Sequence, residues 1–214
     1  MLDGYILDGA TGAIRQKALI PTIVYDANYV SKYNKLPVKA MSLLRWDVVK
    51  RALVPLDIHR AEVLDFGCGN GAFVHEVQEH GAHAYGHDIA DFPLPDSIPK
   101  LDVQTLRQQD FDLVTFFDSL EHTEDPLGTL KALNTTAVAI SLPWCHAHTL
   151  GDEWFTRWKH RKPGEHLWHF DAASLCRLAE LAGFRPMFIG NPEDSIRQPV
   201  EKLPNILTGV FYRA

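Results

Sequence analysis

The sequence has few cysteines and no long hydrophobic run, and both absences restrict the kind of protein that it encodes. Its 214 residues include three cysteines, Cys68, Cys145 and Cys176, which are widely spaced and odd in number. This usage suits a reducing cytoplasm better than a disulfide framework. No apolar run approaches the length that is needed to cross a bilayer. These absences favour one globular domain with a full core.

An excess of basic residues is also missing. The formal net charge is −6, with 46% hydrophobic and 22% charged residues, which argues against a protein whose whole surface grips nucleic acid. Residues 1–5 have neither the basic nor the apolar region of a signal peptide. We therefore predict a cytoplasmic protein with no membrane partner, and the charge disfavours a nucleic-acid partner. The oligomeric state stays open.

The most informative stretch runs from Val63 to Val74, where a strand-type run leads into three glycines at alternate positions. Gly67, Gly69 and Gly71 predict a tight turn that exposes backbone N–H groups. The apolar period that follows predicts a helix, whose N-terminus faces the same turn. This strand, turn and helix start predict a small cofactor that is held by the backbone.

Strand-type runs alternate with helical patterns along the chain, which predicts an α/β fold with a mainly parallel sheet and helices on both faces. Ligands of such sheets bind at the carboxyl ends of the strands. Three runs carry an acid at or near that end. These acids are Asp65, Asp88 and Asp118.

Two cofactor classes compete for the glycine turn. Gly67, Gly69 and Ala72 fit the dinucleotide pattern G-x-G-x-x-A, and Asp88 lies where a ribose-binding acid is expected. However, Asp65 would repel a pyrophosphate, and the chain offers no second domain for hydride transfer. The ammonium and sulfonium groups of S-adenosylmethionine would instead be attracted by this acid. The residues therefore favour S-adenosylmethionine.

Three blocks of the sequence resemble class I S-adenosylmethionine-dependent methyltransferases, most closely the ubiquinone-biosynthesis O-methyltransferase-like subgroup. Val63–Gly71 resembles the first motif of that family, Phe111–Pro126 resembles its fourth-strand block, and Gly164–Phe170 resembles its late block. The blocks occur in the family's order. The resemblance implies a Rossmann-like three-layer sandwich with a mostly parallel seven-stranded sheet and an antiparallel last strand.

The residues and the resemblance together define a set of candidate cofactor-binding positions. The set includes apolar positions that suit the adenine. It also includes Arg45, because an arginine at a similar place contacts the cofactor in the subgroup. The segment after Asp88 is short and rich in proline, so the adenine contacts rest on fewer residues. The candidates are Arg45, Asp65, Phe66, Gly67, Cys68, Gly69, Phe73, Asp88, Ile89, Phe117, Asp118 and Ser119.

Some members of the subgroup link an acid-x-x-Glu-His run to a divalent metal ion, and this chain has Asp118, Glu121 and His122 in those positions. Oxygen and imidazole ligands suit such an ion. The alternative is that Glu121 and His122 form a hydrogen-bonded network at a helix start, and we predict no metal site. Zinc at Cys145 with nearby histidines matches no standard spacing.

The acceptor of a methyl group needs a base if it is a hydroxyl, and histidine is the usual base near neutral pH. His122, His166 and His169 are the catalytic candidates. Residues 143–170 hold four of the five tryptophans, and we expect this segment to form a flap that binds the acceptor. The alternative is that its tryptophans fill a small core of their own.

The chain is predicted to be a single domain, 1–214, in which residues 1–55 form a helical cap and residues 143–170 an inserted flap. Tyr25, Tyr29 and Tyr33 share one face of a helix if that cap is helical. The predicted function is S-adenosylmethionine-dependent methylation of an oxygen or nitrogen atom in a small molecule. The alternatives are a non-catalytic S-adenosylmethionine-binding module and a nucleic-acid or protein methyltransferase.

Overall fold

The computed structural model describes residues 3–23, 37–54, 58–90, 94–199 and 202–214. The tyrosines at 25, 29 and 33 lie outside these ranges, so their prediction is not addressed. No helix in these ranges is long and apolar enough to span a membrane.

A six-stranded sheet forms the centre of the molecule. Its strands are β3 (Glu62–Phe66), β4 (His83–His87), β5 (Phe111–Phe117), β6 (Thr135–Pro143), β8 (Phe184–Gly190) and β9 (Ile206–Arg213). They have the order β4-β3-β5-β6-β9-β8, in which β4, β3, β5 and β6 are parallel and β9 is antiparallel to both of its neighbours. The mostly parallel sheet with an antiparallel last strand is therefore confirmed.

The strand count differs from the predicted seven in the part of the chain that the structure describes. Beyond β4, a single parallel bridge joins Gly86 to Lys100 where a further strand would pair. The chain there is short and contains prolines, which lack the N–H that a ladder needs. Asp102 instead caps a four-residue helix, α3 (Val103–Leu106).

Helices cover both faces of this sheet and give the molecule its three layers. One face packs Trp46, Val49 and Val77 against the sheet, and the other packs Leu130 and Leu175 against it. The helices are α1 (Val38–Ala52), α2 (Ala72–Glu79), α4 (Pro126–Ala132), α5 (Ala147–Arg157) and α6 (Ala172–Leu181). The two apolar faces explain why the central strands are almost continuously hydrophobic.

A second, three-stranded sheet lies outside the main one. It pairs β1 (Tyr5–Leu7) with β2 (Ile14–Gln16), and β2 with β7 (Trp168–His169), all antiparallel. The prediction of a helical cap over residues 1–55 is therefore wrong for residues 3–23. Gly4 and Gly12 adopt positive φ angles of 84° and 79°, which shape a hairpin rather than a helix.

The chain order places the candidate site. From β3 the chain proceeds outward to β4 and then crosses to β5 on the other side of β3. The carboxyl ends of β3 and β5 therefore meet at a switch point, where a crevice opens in sheets of this kind.

Candidate active site

A cavity of about 560 Å³ opens at the carboxyl ends of β3, β4 and β5. All of the predicted cofactor-binding residues line it, from Arg45 on α1 to Ser119 after β5. The structure thus brings these predicted residues together in one cavity. Additional lining residues are Pro21, Val38, Met41, Ser42, Asn70, Ala72, His87, Ala90, His122, Thr123, Glu124, Asp125, Thr129 and Arg197.

The glycine turn forms one wall of this cavity. The backbone N–H groups of Gly67 and Cys68 both donate to the carbonyl oxygen of His87, at 2.7 and 3.0 Å. At Gly67, where φ is 86°, an added Cβ would lie 2.5 Å from the Cβ of Ser119. At Gly69, where φ is 54°, an added Cβ would meet nothing within 4 Å. Gly67 therefore permits close packing, whereas Gly69 leaves open space above the backbone.

Asp88 stabilises the turn from the neighbouring strand. Its carboxylate accepts hydrogen bonds from the N–H of Gly69 at 2.9 Å and from the N–H of Ala90 at 2.8 Å. The next residue, Ile89, is 75% exposed, which is unusual for an isoleucine at a cavity wall. These positions suit a ribose at the acid and an apolar ring against Ile89.

Asp65 lies beneath the turn and is almost completely buried. The hydroxyl of Thr115 donates to its Oδ1 at 2.7 Å. Burial raises the pKa of Asp65 to about 6, against the opposing effect of the Thr115 hydrogen bond. A cationic group in the cavity would favour the ionised form of this acid.

Four charged side chains form a compact network at the cavity wall, and we call Arg45, Asp118, Glu193 and Arg197 the charged quartet. Arg45 donates to both carboxylate oxygens of Glu193, at 2.7 and 3.0 Å, and to Asp118 at 2.8 Å. Arg197 donates to Asp118 at 2.8 Å and to Glu193 at 3.2 Å. The two positive and two negative charges compensate one another in a mostly buried place.

The quartet fixes the protonation state of Asp118. Burial opposes its ionisation, but Arg197 and Arg45 outweigh this effect and hold the pKa of Asp118 well below its usual range. Asp118 adopts a left-handed backbone conformation with φ of 55°, which asparagine and aspartate tolerate better than most residues. The guanidinium of Arg45 also stacks on the ring of Phe117, 4.5 Å from its centroid.

Glu193 and Arg197 were missed by the sequence analysis. They lie in and after the 3-10 turn Pro192–Ser195 that follows β8, in a loop with neither a motif nor an apolar period. Glu193 is nevertheless only 1% exposed. The proline and acid content of this loop predicts surface exposure, so the sequence holds no signal for its inward-facing carboxylate.

The metal set that the resemblance implies does not fit this structure. Both carboxylate oxygens of Asp118 accept from Arg197, and one also accepts from Arg45. Two adjacent guanidinium groups would repel a cation there. The zinc alternative at Cys145 does not fit either, because the nearby histidines hydrogen-bond elsewhere. His146 bonds to Pro204, His148 to Gly12 and His160 to Asn205.

The three catalytic candidates are placed differently. His122 lines the cavity, and burial lowers its pKa below the ordinary value. His166 and His169 are buried and are not among the described residues that line the cavity. Burial lowers the pKa of His169 to about 3. The prediction that these two act on the acceptor is therefore not supported, because both are enclosed by packed side chains.

Residues 143–170, predicted to form a flap that binds the acceptor, contribute no residue to the lining of the described cavity. Their rings pack on one another and on the N-terminal hairpin instead. Trp154 stacks on Trp158 with centroids 5.2 Å apart, and Phe155 meets Tyr5 edge to face at 5.1 Å. The alternative, a small core of their own, describes this segment.

Comparison with known proteins agrees with this geometry. A family model of the methyltransferase domain matches residues 39–187, more than half of the chain. A ubiquinone biosynthesis O-methyltransferase from Aeromonas salmonicida is 27% identical over 146 residues, which cover 56% of this chain and 61% of that relative. The match thus spans less than two thirds of the relative's own length.

Solved structures share the fold at lower sequence identity. Burkholderia thailandensis 1,6-didemethyltoxoflavin-N1-methyltransferase, crystallised with 1,6-didemethyltoxoflavin and S-adenosylhomocysteine, has a TM-score of 0.59 at 13% identity, and the alignment covers 98% of each chain. Synechocystis magnesium protoporphyrin IX methyltransferase with bound S-adenosylmethionine has a TM-score of 0.55 at 17% identity, covering 88% of this chain and 85% of that one. The family match shows that the chain belongs to the methyltransferase domain family.

Proposed function

We propose that the protein transfers a methyl group from S-adenosylmethionine to an oxygen or nitrogen atom of a small molecule. The observation that carries the proposal is the convergence of the open glycine turn, Asp65 and Asp88 on one cavity. The family membership and the name of the Aeromonas relative support the same chemistry. A hydroxyl acceptor is favoured by that relative's name.

The cavity residues suit each part of the cofactor. Asp88 is placed to accept hydrogen bonds from ribose hydroxyls, and the open backbone at Gly69 leaves room for the amino-acid end. Asp65 suits the ammonium and sulfonium charges. Arg45 is the candidate partner for the cofactor carboxylate, and for that it would exchange one of its present bonds to Asp118 or Glu193. The cofactor supplies an electrophilic methyl group.

His122 is the candidate base among the three predicted histidines. It lines the cavity, and burial lowers its pKa, so it is neutral at pH 7 and able to accept a proton. Methyl transfer otherwise requires alignment of the nucleophile, the methyl group and the leaving sulfur, and exclusion of water.

We further propose that the partner is a small molecule rather than a nucleic acid, and that the protein works in the cytoplasm. The net charge of −6 supports the first proposal. The second is supported by the three cysteines, all of which are free thiols.

Calorimetric titration with S-adenosylmethionine tests the cofactor. We expect saturable binding to the wild type and a loss of at least tenfold in affinity for Asp88→Asn, because a neutral amide accepts fewer strong hydrogen bonds from the ribose. The matched control is Asp96→Asn, which alters an exposed aspartate outside the cavity lining. Thermal unfolding of both variants separates binding from folding.

Transfer is tested with methyl-labelled cofactor and a panel of phenols and amines. Label in a phenol supports oxygen transfer, and a His122→Gln variant should then lose most of its turnover while it still binds cofactor. Folded wild-type protein that binds no S-adenosylmethionine would contradict the proposal. Binding without turnover on any acceptor would support the non-catalytic module instead.

A further inference from the structure

A glutamate on the loop after β8 holds an arginine that lines the cavity. Arg45 donates through Nε and Nη2 to the two carboxylate oxygens of Glu193, at 2.7 and 3.0 Å. Such a paired bond fixes the plane of a guanidinium as well as its position. The ring of Phe117 lies against the guanidinium, with its centroid 4.5 Å from Cζ of Arg45. The edge and the face of this guanidinium are therefore both held in place.

Glu193 is itself held by its surroundings. It is buried and lies in the 3-10 turn Pro192–Ser195. The next residue, Asp194, accepts hydrogen bonds from the backbone N–H of Asn205 at 2.9 Å and of Ile206 at 3.0 Å, where β9 begins. The turn is thus tied to the central sheet, and the carboxylate of Glu193 has a fixed place from which to hold Arg45.

The bond from Arg45 to Asp118 differs from its bonds to Glu193. Arg45 gives Asp118 a single bond at 2.8 Å through Nη2, which also donates to Glu193. Asp118 receives two more bonds from Nη1 of Arg197, one at each oxygen and both at 2.8 Å. If Arg45 turned to another anion, Asp118 would stay paired with Arg197, whereas Glu193 would lose its two shortest bonds. Asp118 is therefore the partner that Arg45 exchanges at the smaller cost.

We propose that Glu193 is a positioning residue that holds Arg45 ready for the carboxylate of the cofactor. This role rests on the proposed function, in which Arg45 is the partner of that carboxylate. Glu193 keeps the guanidinium fixed, and the cofactor carboxylate takes the place of Asp118 on it. Because the arginine is oriented before the cofactor arrives, less side-chain freedom is lost on binding. Glu193 lies beyond residues 39–187, which the family model matches.

The other arginine of the charged quartet is the less suitable partner for this carboxylate. Asp118 depends on Arg197 for a bond at each of its oxygens, and a mostly buried acid needs that compensation. The two positive and two negative charges of the quartet already balance, so a further carboxylate needs a positive charge of its own. The cofactor brings that charge in its ammonium and sulfonium groups.

Calorimetric titration with two ligands tests the positioning role. They are S-adenosylmethionine and its decarboxylated analogue, which keeps the ammonium and sulfonium groups but lacks the carboxylate. Glu193→Asp keeps the charge but is one methylene shorter, so it no longer reaches both Nε and Nη2 of Arg45. We expect its affinity for S-adenosylmethionine to fall about tenfold and its affinity for the analogue to stay within about threefold of the wild type. Arg45→Lys keeps the charge without the fork of donors and should show the same selective loss.

The matched control is Glu153→Asp, the same shortening at an exposed glutamate outside the cavity lining, which should leave both affinities unchanged. Thermal unfolding verifies that each variant is folded, and Arg45→Lys decides the question if Glu193→Asp does not fold. Equal weakening of both ligands, or none, would overturn the positioning role and leave the proposed function standing. Wild-type protein that binds no S-adenosylmethionine would overturn the proposed function and this role together.

Discussion

The charged quartet at the cavity wall and a set of enclosed side chains away from the cavity lining handle buried polar groups in opposite ways. In the charged quartet, Arg45 and Glu193 share two short hydrogen bonds. Away from the lining, Glu121, His166 and Tyr5 keep buried polar atoms that have no partner among the described residues. Folding alone therefore satisfies the first region, whereas the second needs a ligand, water or proton to complete it.

The difference indicates how each region contributes to the molecule. A fully paired charge network is costly to disturb, because removal of one member leaves an opposite charge buried without compensation. Unpartnered atoms contribute no such interaction to stability. They remain able to bond to a ligand, a water molecule or a proton. The comparison predicts that substitutions at the two regions affect stability very unequally.

The largest effect is expected at Glu193. Glu193→Ala leaves the guanidinium groups of Arg45 and Arg197 without their most buried partner, and we expect a loss of about 3–5 kcal/mol in the free energy of unfolding. Urea-induced unfolding at pH 7 measures it. The matched control is Glu153→Ala, which breaks the exposed pair with Arg157 and should cost less than about 0.5 kcal/mol. Equal costs for the two variants would show that the quartet is no more stabilising than a surface pair.

Around the cavity, the sequence predicts the backbone well where the spacing of apolar residues and of glycines specifies strands and turns. The strand β5 (Phe111–Phe117) begins the block that resembles the fourth strand of the family, and Asp88 lies beside the glycine turn. The partner of Arg45 was not predictable. Glu193 is 148 residues away in sequence, in a polar loop, and only the folded sheet brings the two together.

In residues 143–170, by contrast, the sequence pattern does not distinguish between two possible structures. Tryptophan and histidine provide the same pattern whether they line a binding wall or fill a core, because both uses need large rings that keep one polar atom. The structure packs Phe155, Trp158 and His169 against one another. The missing information was the three-residue strand β2, whose Ile14 and Arg15 pair with β7 and carry little signal of their own.

A second prediction concerns the pH dependence of cofactor affinity, which tests the buried acid beneath the glycine turn. Burial raises the pKa of Asp65 to about 6, and a cationic cofactor binds better when this acid is ionised. Affinity for S-adenosylmethionine should therefore rise with pH and fall up to about tenfold per pH unit below about pH 6. Calorimetry at pH 5, 6, 7 and 8 measures this dependence.

A variant isolates the contribution of Asp65 to that profile. Asp65→Asn cannot ionise, so its affinity should be lower at pH 8 and nearly constant from pH 5 to pH 8. A variant that keeps the wild-type slope would assign the pH dependence to another group, and the proposed attraction between Asp65 and the cofactor would be wrong.

The smallest effect is expected where a buried hydroxyl has no partner to lose. Tyr5 keeps its ring against Phe155 in Tyr5→Phe, and its hydroxyl has no hydrogen-bond partner among the described residues. The free energy of unfolding should therefore change by less than about 0.5 kcal/mol, or increase.

The matched variant is Thr115→Val, which removes a buried hydroxyl that donates to Asp65 at 2.7 Å and should cost about 1–3 kcal/mol. Urea-induced unfolding of both variants at pH 7 measures the difference. If Tyr5→Phe costs as much as Thr115→Val, the Tyr5 hydroxyl is bonded in solution, and the contrast between the two regions does not extend to the second sheet.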